Sequence, residues 1–417
     1  MKTAILHYTA PPVVGGVEMV MQEHARIFSK HGQSVTIIAG RGDTASFLPD
    51  SKFILVPEMD SQNPRIESLN MQLEQGEVPQ NFEQILIELF ETLSPSVEEF
   101  DHVIVHNIFT KHFNLPLTAA LFRMLDEKMI NNCIAWCHDF TWTSPKSGSK
   151  VHPGYPWDLL RTYRSDLKYV AVSKQRQQEL AGLLGIHKEL VHLVYNGVNP
   201  DQLLGLSPEG SALIDRLKLM EADLVLLMPV RVTQAKNIEF ALQTAAILKD
   251  KDIRLKLIIT GPPDPHDSQS MSYFQSLMLL RHSLSLENVV HFIFESGPEV
   301  DVPYFINNKV VSDLFRVSDL MFMPSHREGF GMPVLEAGLV GITVVSSNIP
   351  AAKEIGGGDI LSFSSQDSPE NVAMLISNWS EESIHYHLRR RVKQKYTWES
   401  IYRQRIQPLF NLGPQTK

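Results

Sequence analysis

Two cysteines are all that the 417 residues hold, Cys133 and Cys137 in "NNCIAWCHD", and their spacing matches no zinc ligand set. Set in an apolar run, they read as buried thiols of a reducing compartment, which excludes a disulfide-stapled scaffold. Long apolar runs are missing as well: no stretch approaches the ~18 apolar residues that a membrane span needs. The opening "MKTAILHYTAPP" is too short an apolar run for a signal peptide and has no small-residue cleavage site behind it. A cytoplasmic location is therefore expected. Positive charge is scarce too, with 38 Lys and Arg against 47 Asp and Glu, a net charge of −9 and no dense basic block. That disfavours a nucleic acid, or an anionic bilayer gripped by a polybasic face, as the main partner. A small or neutral partner fits better.

What is present is an ordinary soluble composition, 43% hydrophobic and 20% charged, in a chain too long for one core. Short apolar runs alternate with helical patterns. "TAILHYT" (3–9) and "SVTIIAG" (34–40) read as strands around the helix "GVEMVMQEHARIFSKHG", where Val17, Val20, Met21, His24 and Phe28 recur at three and four. That strand-helix-strand unit opens a parallel sheet, continued by "DHVIVHN" (101–107), "NCIAWCH" (132–138) and "KYVAVS" (168–173). Residues 60–100 are polar and helix-like, a cover for the sheet. "VYNGVNPD" (194–201) carries Asn-Gly and Asn-Pro turn pairs and is the expected hinge.

The alternation then restarts. "DLVLLMPVR" (223–231), "RLKLIITGPP" (254–263), "NVVHFIFES" (288–296), "SDLMFMPS" (318–325) and "GITVVSSN" (341–348) read as strands. Helical patterns fall near 237–249, 269–284, 308–317, 333–340 and 369–379. The expectation is an α/β protein of two Rossmann-like, doubly wound domains facing a central cleft, residues 1–197 and 198–395. An amphipathic helix within 396–417 would cross back onto the first. Ligands are expected at the carboxyl ends of the strands.

Four constellations could carry chemistry there. In "SHREGFGMPVLEAG", a strand ends, a loop with Gly329 and Gly331 follows, and Pro333 opens a helix. The backbone N–H groups of Met332 to Leu335 would then face a phosphate or a hydroxyl-bearing ligand. Glu336 would lie in the first helical turn, and with Glu328 could chelate vicinal hydroxyls. On spacing alone, both glutamates could equally serve the helix dipole. "PVRVTQAKN" sets Arg231 and Lys236 just past a strand, where cations can hold a pyrophosphate or remain solvated surface charge. "VVGGVEM" puts Gly15 and Gly16 between the first strand and helix, as a ligand loop or a plain tight turn. "AWCHD" ends a strand with His138 and Asp139, and "DHVIV" ends one with His106; each histidine could also be structural. Asp250 and Asp252 form an acidic pair, but in a turn at the wrong end of a strand, so no metal site is expected.

Taken together, these segments resemble the retaining glycosyltransferases of family 4. "REGFGMPVLEA" is similar to that family's Glu-x7-Glu signature, "PVRVTQAKN" to its Arg/Lys pair and "PPVVGGVEM" to its first-strand loop. "VYNGVNP" resembles its hinge and "YTWESI" its closing helix, in the family's order over nearly the whole chain. The resemblance implies a GT-B architecture, with acceptor mostly on the first domain and nucleotide-sugar donor mostly on the second. It implies that Arg231 and Lys236 hold the donor diphosphate and that Glu336 binds the ribose hydroxyls. Glu328, with the amides of Phe330, Gly331 and Met332, would orient the transferred sugar, and the amides of Val334 and Leu335 would cap the phosphate. His138 matches a position near the reacting carbon, and Gly16 one near phosphate and acceptor. Gly15, His106 and Asp139 are acceptor-side candidates. No metal or cofactor would be required beyond the nucleotide sugar, with UDP ahead of GDP or ADP, and a sugar, polyol or glycan would be the acceptor. The sequence departs from the family in "AGLVGITVVSS" and "IPAAKEI", which bears on fine donor contacts. A silent nucleotide-sugar-binding scaffold and a two-domain sugar epimerase are the other classes this architecture could serve.

Overall fold

The computed structural model describes residues 1–47, 51–251 and 253–411 and divides into two compact units. Unit 1 is Met1–Gly197 together with the segment from Trp398 onward; unit 2 is Val198–Thr397. Asp252 and residues 412–417 lie outside the described residues.

Unit 1 is built on seven strands: β1 (Lys2–His7), β2 (Ser34–Ala39), β3 (Lys52–Leu55), β4 (His102–His106), β5 (Cys133–Cys137), β6 (Leu167–Ala171) and β7 (Val191–Leu193). They run parallel in the order β3-β2-β1-β4-β5-β6-β7. The strand text is almost continuously apolar because both faces of the sheet are covered. Successive side chains point to opposite faces, so each run divides between two cores. Leu6, Val105, Cys133, Ala135 and Cys137 pack on one side with helices Pro64–Leu73, Phe82–Val97 and Leu115–Asp126. Ile5, Ile37, Ile104, Ile134 and Trp136 pack on the other, against helix Gly16–Lys30 and the segment Trp398–Asn411. In that segment Trp398, Ile401, Tyr402, Ile406, Leu409 and Phe410 are all buried, and its middle, Tyr402–Ile406, is wound as a π-helix.

Unit 2 repeats the plan with six parallel strands: β8 (Leu224–Met228), β9 (Leu255–Ile259), β10 (Val290–Phe292), β11 (Leu320–Met323), β12 (Thr343–Ser347) and β13 (Leu361–Phe363). Their order is β10-β9-β8-β11-β12-β13. The expected strand 288–296 is shorter in fact: only Val290–Phe292 pair with β9, and Ile293–Glu295 turn into a 3-10 helix. In both sheets the winding reverses beside the first strand, between β1 and β4 and between β8 and β11. At such a switch point the loops leaving the two strands diverge, which opens a crevice at their carboxyl ends. No helix among the described residues is long and apolar enough to cross a membrane.

Candidate functional site

At the switch point of unit 2, β11 ends at Met323 and the chain passes through buried Ser325 into an exposed loop. Gly331 closes that loop at φ 91°, a left-handed conformation that a side chain would strain, and caps the helix Met332–Val340. Within the loop Glu328 is held at both oxygens: Ser325 donates from Oγ to Oε1 at 2.7 Å, and Lys236 from Nζ to Oε2 at 2.6 Å. The two side chains are only 20% and 10% exposed, so each charge relies on the other. Ser325 is braced in turn by Ser347, whose hydroxyl at the end of β12 donates to the Ser325 carbonyl at 2.5 Å. Lys236 comes from the 3-10 turn Gln234–Lys236 after β8, and the His326 N–H donates to the Ala235 carbonyl at 2.9 Å. The loops leaving β8 and β11 are thereby stitched together.

Arg231 stands on the same rim, 61% exposed, with Nη1 4.0 Å from Asp264 Oδ1. Phe330, Met332, Leu335 and Glu336 are exposed beside it, whereas Val334 is buried. Two sequence expectations change here. The helix starts at Met332, so Glu336 is its fifth residue and lies in the second turn, not the first. Nor are all the amides of Met332 to Leu335 open: Pro333 has none, and the Val334 N–H donates to the Gly331 carbonyl at 2.9 Å.

The switch point of unit 1 gathers a different chemistry. Gly15 precedes helix Gly16–Lys30, and Glu18 in its first turn folds back over it. A Cβ on Gly15 would stand 2.1 Å from Glu18 Oε2, whereas one on exposed Gly16 would meet nothing within 4 Å. Buried Glu18 accepts from Thr9 Oγ1 at 2.5 Å, and His7 Nε2 is 3.9 Å from the same Oε1. His7 Nδ1 lies 2.9 Å from the His106 carbonyl. A carbonyl only accepts, so that nitrogen carries the proton. His106 Nδ1 and His138 Nε2 are 3.1 Å apart, one donating to the other.

Asn107, at φ 58° just past β4, accepts at Oδ1 from the backbone N–H of His138 at 2.8 Å and of Asp139 at 3.3 Å. Asp139 pairs with Arg176 at 2.9 Å. Burial, helped by the His7 charge, pushes the His138 imidazole down to about 3, and burial with the His138 charge does the same for His24. His106 is lowered well below the ordinary histidine value, first by burial and then by the neighbouring histidines. His138 is thus neutral at physiological pH and available for hydrogen bonding, not as a cation. Among the described residues, no group of three His, Cys, Asp or Glu is arranged to hold a metal ion.

The structure brings His106, His138 and Asp139 together in unit 1, and Lys236 and Glu328 together in unit 2. Sequence reasoning missed Ser325, Ser347, Glu18 and Asn107, all of which act by fixing a neighbour. Only Asn107 carried a local signal, as a residue tolerant of left-handed backbone directly after a strand.

Two family profiles match this chain: "Glycosyltransferase Family 4" over residues 14–202 and "Glycosyl transferases group 1" over residues 212–396. A glycosyltransferase of Methanocaldococcus jannaschii is 25% identical over 257 residues, 60% of this chain and 61% of that protein. The chain therefore spans about three-fifths of that relative's length. The mannosylglucosylglycerate synthase of Petrotoga mobilis is 23% identical over 335 residues, 78% of this chain and 73% of the relative. Among solved structures, HepE of Anabaena in complex with UDP is similar over 99% of this chain and 100% of its own, at 18% identity and a TM-score of 0.36. Two parallel sheets of the Rossmann type, each reversing its winding beside its first strand, make this an α/β protein of GT-B type. The chain belongs to the glycosyltransferases of family 4.

Proposed function

We propose that the protein is a retaining glycosyltransferase that moves a hexosyl group, glucose first among the candidates, from a nucleoside-diphosphate sugar to an acceptor hydroxyl. UDP is the favoured base carrier and GDP or ADP the alternatives. The observation that carries this reading is the Lys236–Glu328–Ser325 cluster at the switch point of unit 2. A carboxylate gripped at both oxygens keeps remaining lone pairs for sugar hydroxyls in one fixed orientation. The ammonium that grips it also supplies positive charge where a diphosphate would depart.

Cleaving the anomeric bond leaves an oxocarbenium-like carbon and a diphosphate. Arg231, Lys236 and the start of helix Met332–Val340 would stabilise the latter without a metal. A front-face route, in which the leaving phosphate assists the acceptor hydroxyl, would retain the anomeric configuration without a sugar-enzyme bond. Glu336 would take ribose hydroxyls from the second turn. In unit 1, neutral His138, steadied by His106 and Asn107, would hydrogen-bond the sugar or the acceptor, beside exposed Gly16. The Petrotoga relative's name supports a small acceptor of sugar or sugar-acid type.

A thermal-shift panel of UDP, GDP and ADP sugars tests the donor assignment. A donor at about 100 times its dissociation constant should add roughly 2.7 kcal/mol. Glu336→Ala and Arg231→Ala should shrink that shift, and Asp250→Ala should not. Release of free nucleoside diphosphate that depends on an added acceptor separates transfer from a binding scaffold. An altered free sugar formed without acceptor would point to an epimerase instead.

A further inference from the structure

One cation on the rim of unit 1 has no ionic partner among the described residues. Lys111 lies in the turn after β4, where Thr110 and Lys111 both donate their N–H to the Asn107 carbonyl at 2.9 Å. Its own carbonyl accepts from Tyr8 Oη at 3.2 Å, and Thr110 Oγ1 donates to the Asp139 carbonyl at 2.8 Å. Its backbone is therefore tied to the ends of β1 and β5, the two neighbours of β4. The half-buried side chain runs along Phe113, with Nζ 4.7 Å from the ring centroid. Among the described residues, no carboxylate oxygen comes within 4.0 Å of that nitrogen.

The acid whose charge Lys111 does feel is Asp139, and that carboxylate is already taken by Arg176 at 2.9 Å. Arg176 extends its other nitrogen to Glu179 at 2.7 Å, so Asp139, Arg176 and Glu179 form a chain of their own. Burial holds the Lys111 ammonium below the usual lysine range, with Asp139 opposing and the Arg176 charge adding to the effect. A lysine that only served solubility would extend its amine into water. This one is partly desolvated over an aromatic face, which compensates an ammonium incompletely. Its backbone shares Asn107 with His138: Lys111 bonds the Asn107 carbonyl and His138 the Asn107 side chain, beside the switch point.

We propose that Lys111 is the anion-recognising residue of unit 1, so that the acceptor bound there carries a carboxylate or a phosphate group. The proposal rests on the reading above that this rim receives the acceptor. An acceptor anion would complete the coordination that no side chain among the described residues supplies, and a neutral polyol of the same size would not. Arg176, one-third exposed, offers further donors beside it.

The test uses the full chain saturated with UDP, which occupies the phosphate-binding groups of unit 2. Inorganic phosphate, D-glycerate and glycerol are titrated calorimetrically into the wild type, Lys111→Met and Lys111→Arg. The wild type should bind at least one anion more tightly than glycerol. Lys111→Met should lose that affinity by on the order of ten- to a hundredfold, the range for a hydrogen bond to a charged group, and Lys111→Arg should keep most of it. Preference for phosphate over glycerate assigns a phosphorylated acceptor, and the reverse assigns a sugar acid. An unchanged UDP affinity and unfolding midpoint in Lys111→Met show that the variant is folded. Equal anion binding by wild type and Lys111→Met overturns the proposal, as does a wild type that prefers neither anion to glycerol. If UDP fails to bind at all, the donor reading falls, while the difference between wild type and Lys111→Met still decides this one.

Discussion

His24 keeps its imidazole where water does not reach, between Phe28, Trp136 and Trp398, and neither ring nitrogen has a hydrogen-bond partner among the described residues. Its folded-state value of about 3, against 6.5 ordinarily, makes acid stability a matter of linkage. Above pH 6.5 the ring is neutral folded or unfolded and contributes nothing to the slope. Below that, only the unfolded chain takes up the proton, so stability falls with pH until about pH 3. Each such group adds up to about 1.4 kcal/mol per pH unit. His24→Phe, which gives up no hydrogen bond, should therefore flatten the acid limb between pH 6 and 4 in urea titrations by roughly one proton's worth. A limb as steep as the wild type's would contradict the placement. The paired glycines provide a second test at this scale. Gly15→Ala must displace the Glu18 carboxylate and should cost about 1–3 kcal/mol of unfolding free energy. Gly16→Ala should stay within about 0.5 kcal/mol in stability. If Gly16 borders a bound substrate, that variant should still weaken ligand binding, read as a smaller thermal shift.

Among the elements, the segment Trp398–Asn411 does for unit 1 what a core helix would. Trp398 packs edge-on against His24, Tyr402 accepts from Gln33 Nε2 at 2.9 Å, and Lys168 donates to the Leu409 carbonyl at 3.0 Å. Gly197 leaves room for the indole, since a Cβ there would be 2.8 Å from its ring. Trp398→Ala should lower the stability of unit 1 by about 3–5 kcal/mol, measured by chemical denaturation. Trp398 was legible in "YTWESI", and so were the central strands, because a buried parallel strand must be apolar on both faces. The edge strands β3, β7 and β13 were not: they span three or four residues, and Lys52, His192 and Ser362 interrupt the apolar pattern. Helix Ile384–Lys395 was hidden for another reason. Its buried face includes Lys393, whose ammonium reaches Asp319 Oδ2 at 3.2 Å, so its text reads as solvated charge. The same limit governs the sites. Glu328 and Lys236 stand out by type and spacing, but Ser325, Ser347 and Lys111 gain meaning only from partners that the fold brings near.

For the whole molecule, function is expected to divide between the two units, with the donor on unit 2 and the acceptor on unit 1. Lys236→Met should then abolish the nucleotide-dependent thermal shift, because it removes a positive charge and leaves Glu328 with Ser325 alone. On the role proposed for His138, His138→Ala should slow turnover by about two orders of magnitude or more, with the donor shift nearly intact. Equal loss of both readouts in His138→Ala would place the two residues in one binding event.

Unit 1 takes residues from both sides of unit 2, and that discontinuity has a temporal consequence. On the ribosome, Gly197 emerges some 200 residues ahead of Trp398, a lead of roughly 10–40 s at ordinary elongation rates. For that interval the side of the sheet bearing Ile5, Ile37 and Ile104 lacks its aromatic cover, whereas the uninterrupted stretch Val198–Thr397 has emerged whole by the time Trp398 appears. The last residue of the second unit thus emerges before the segment that completes the first.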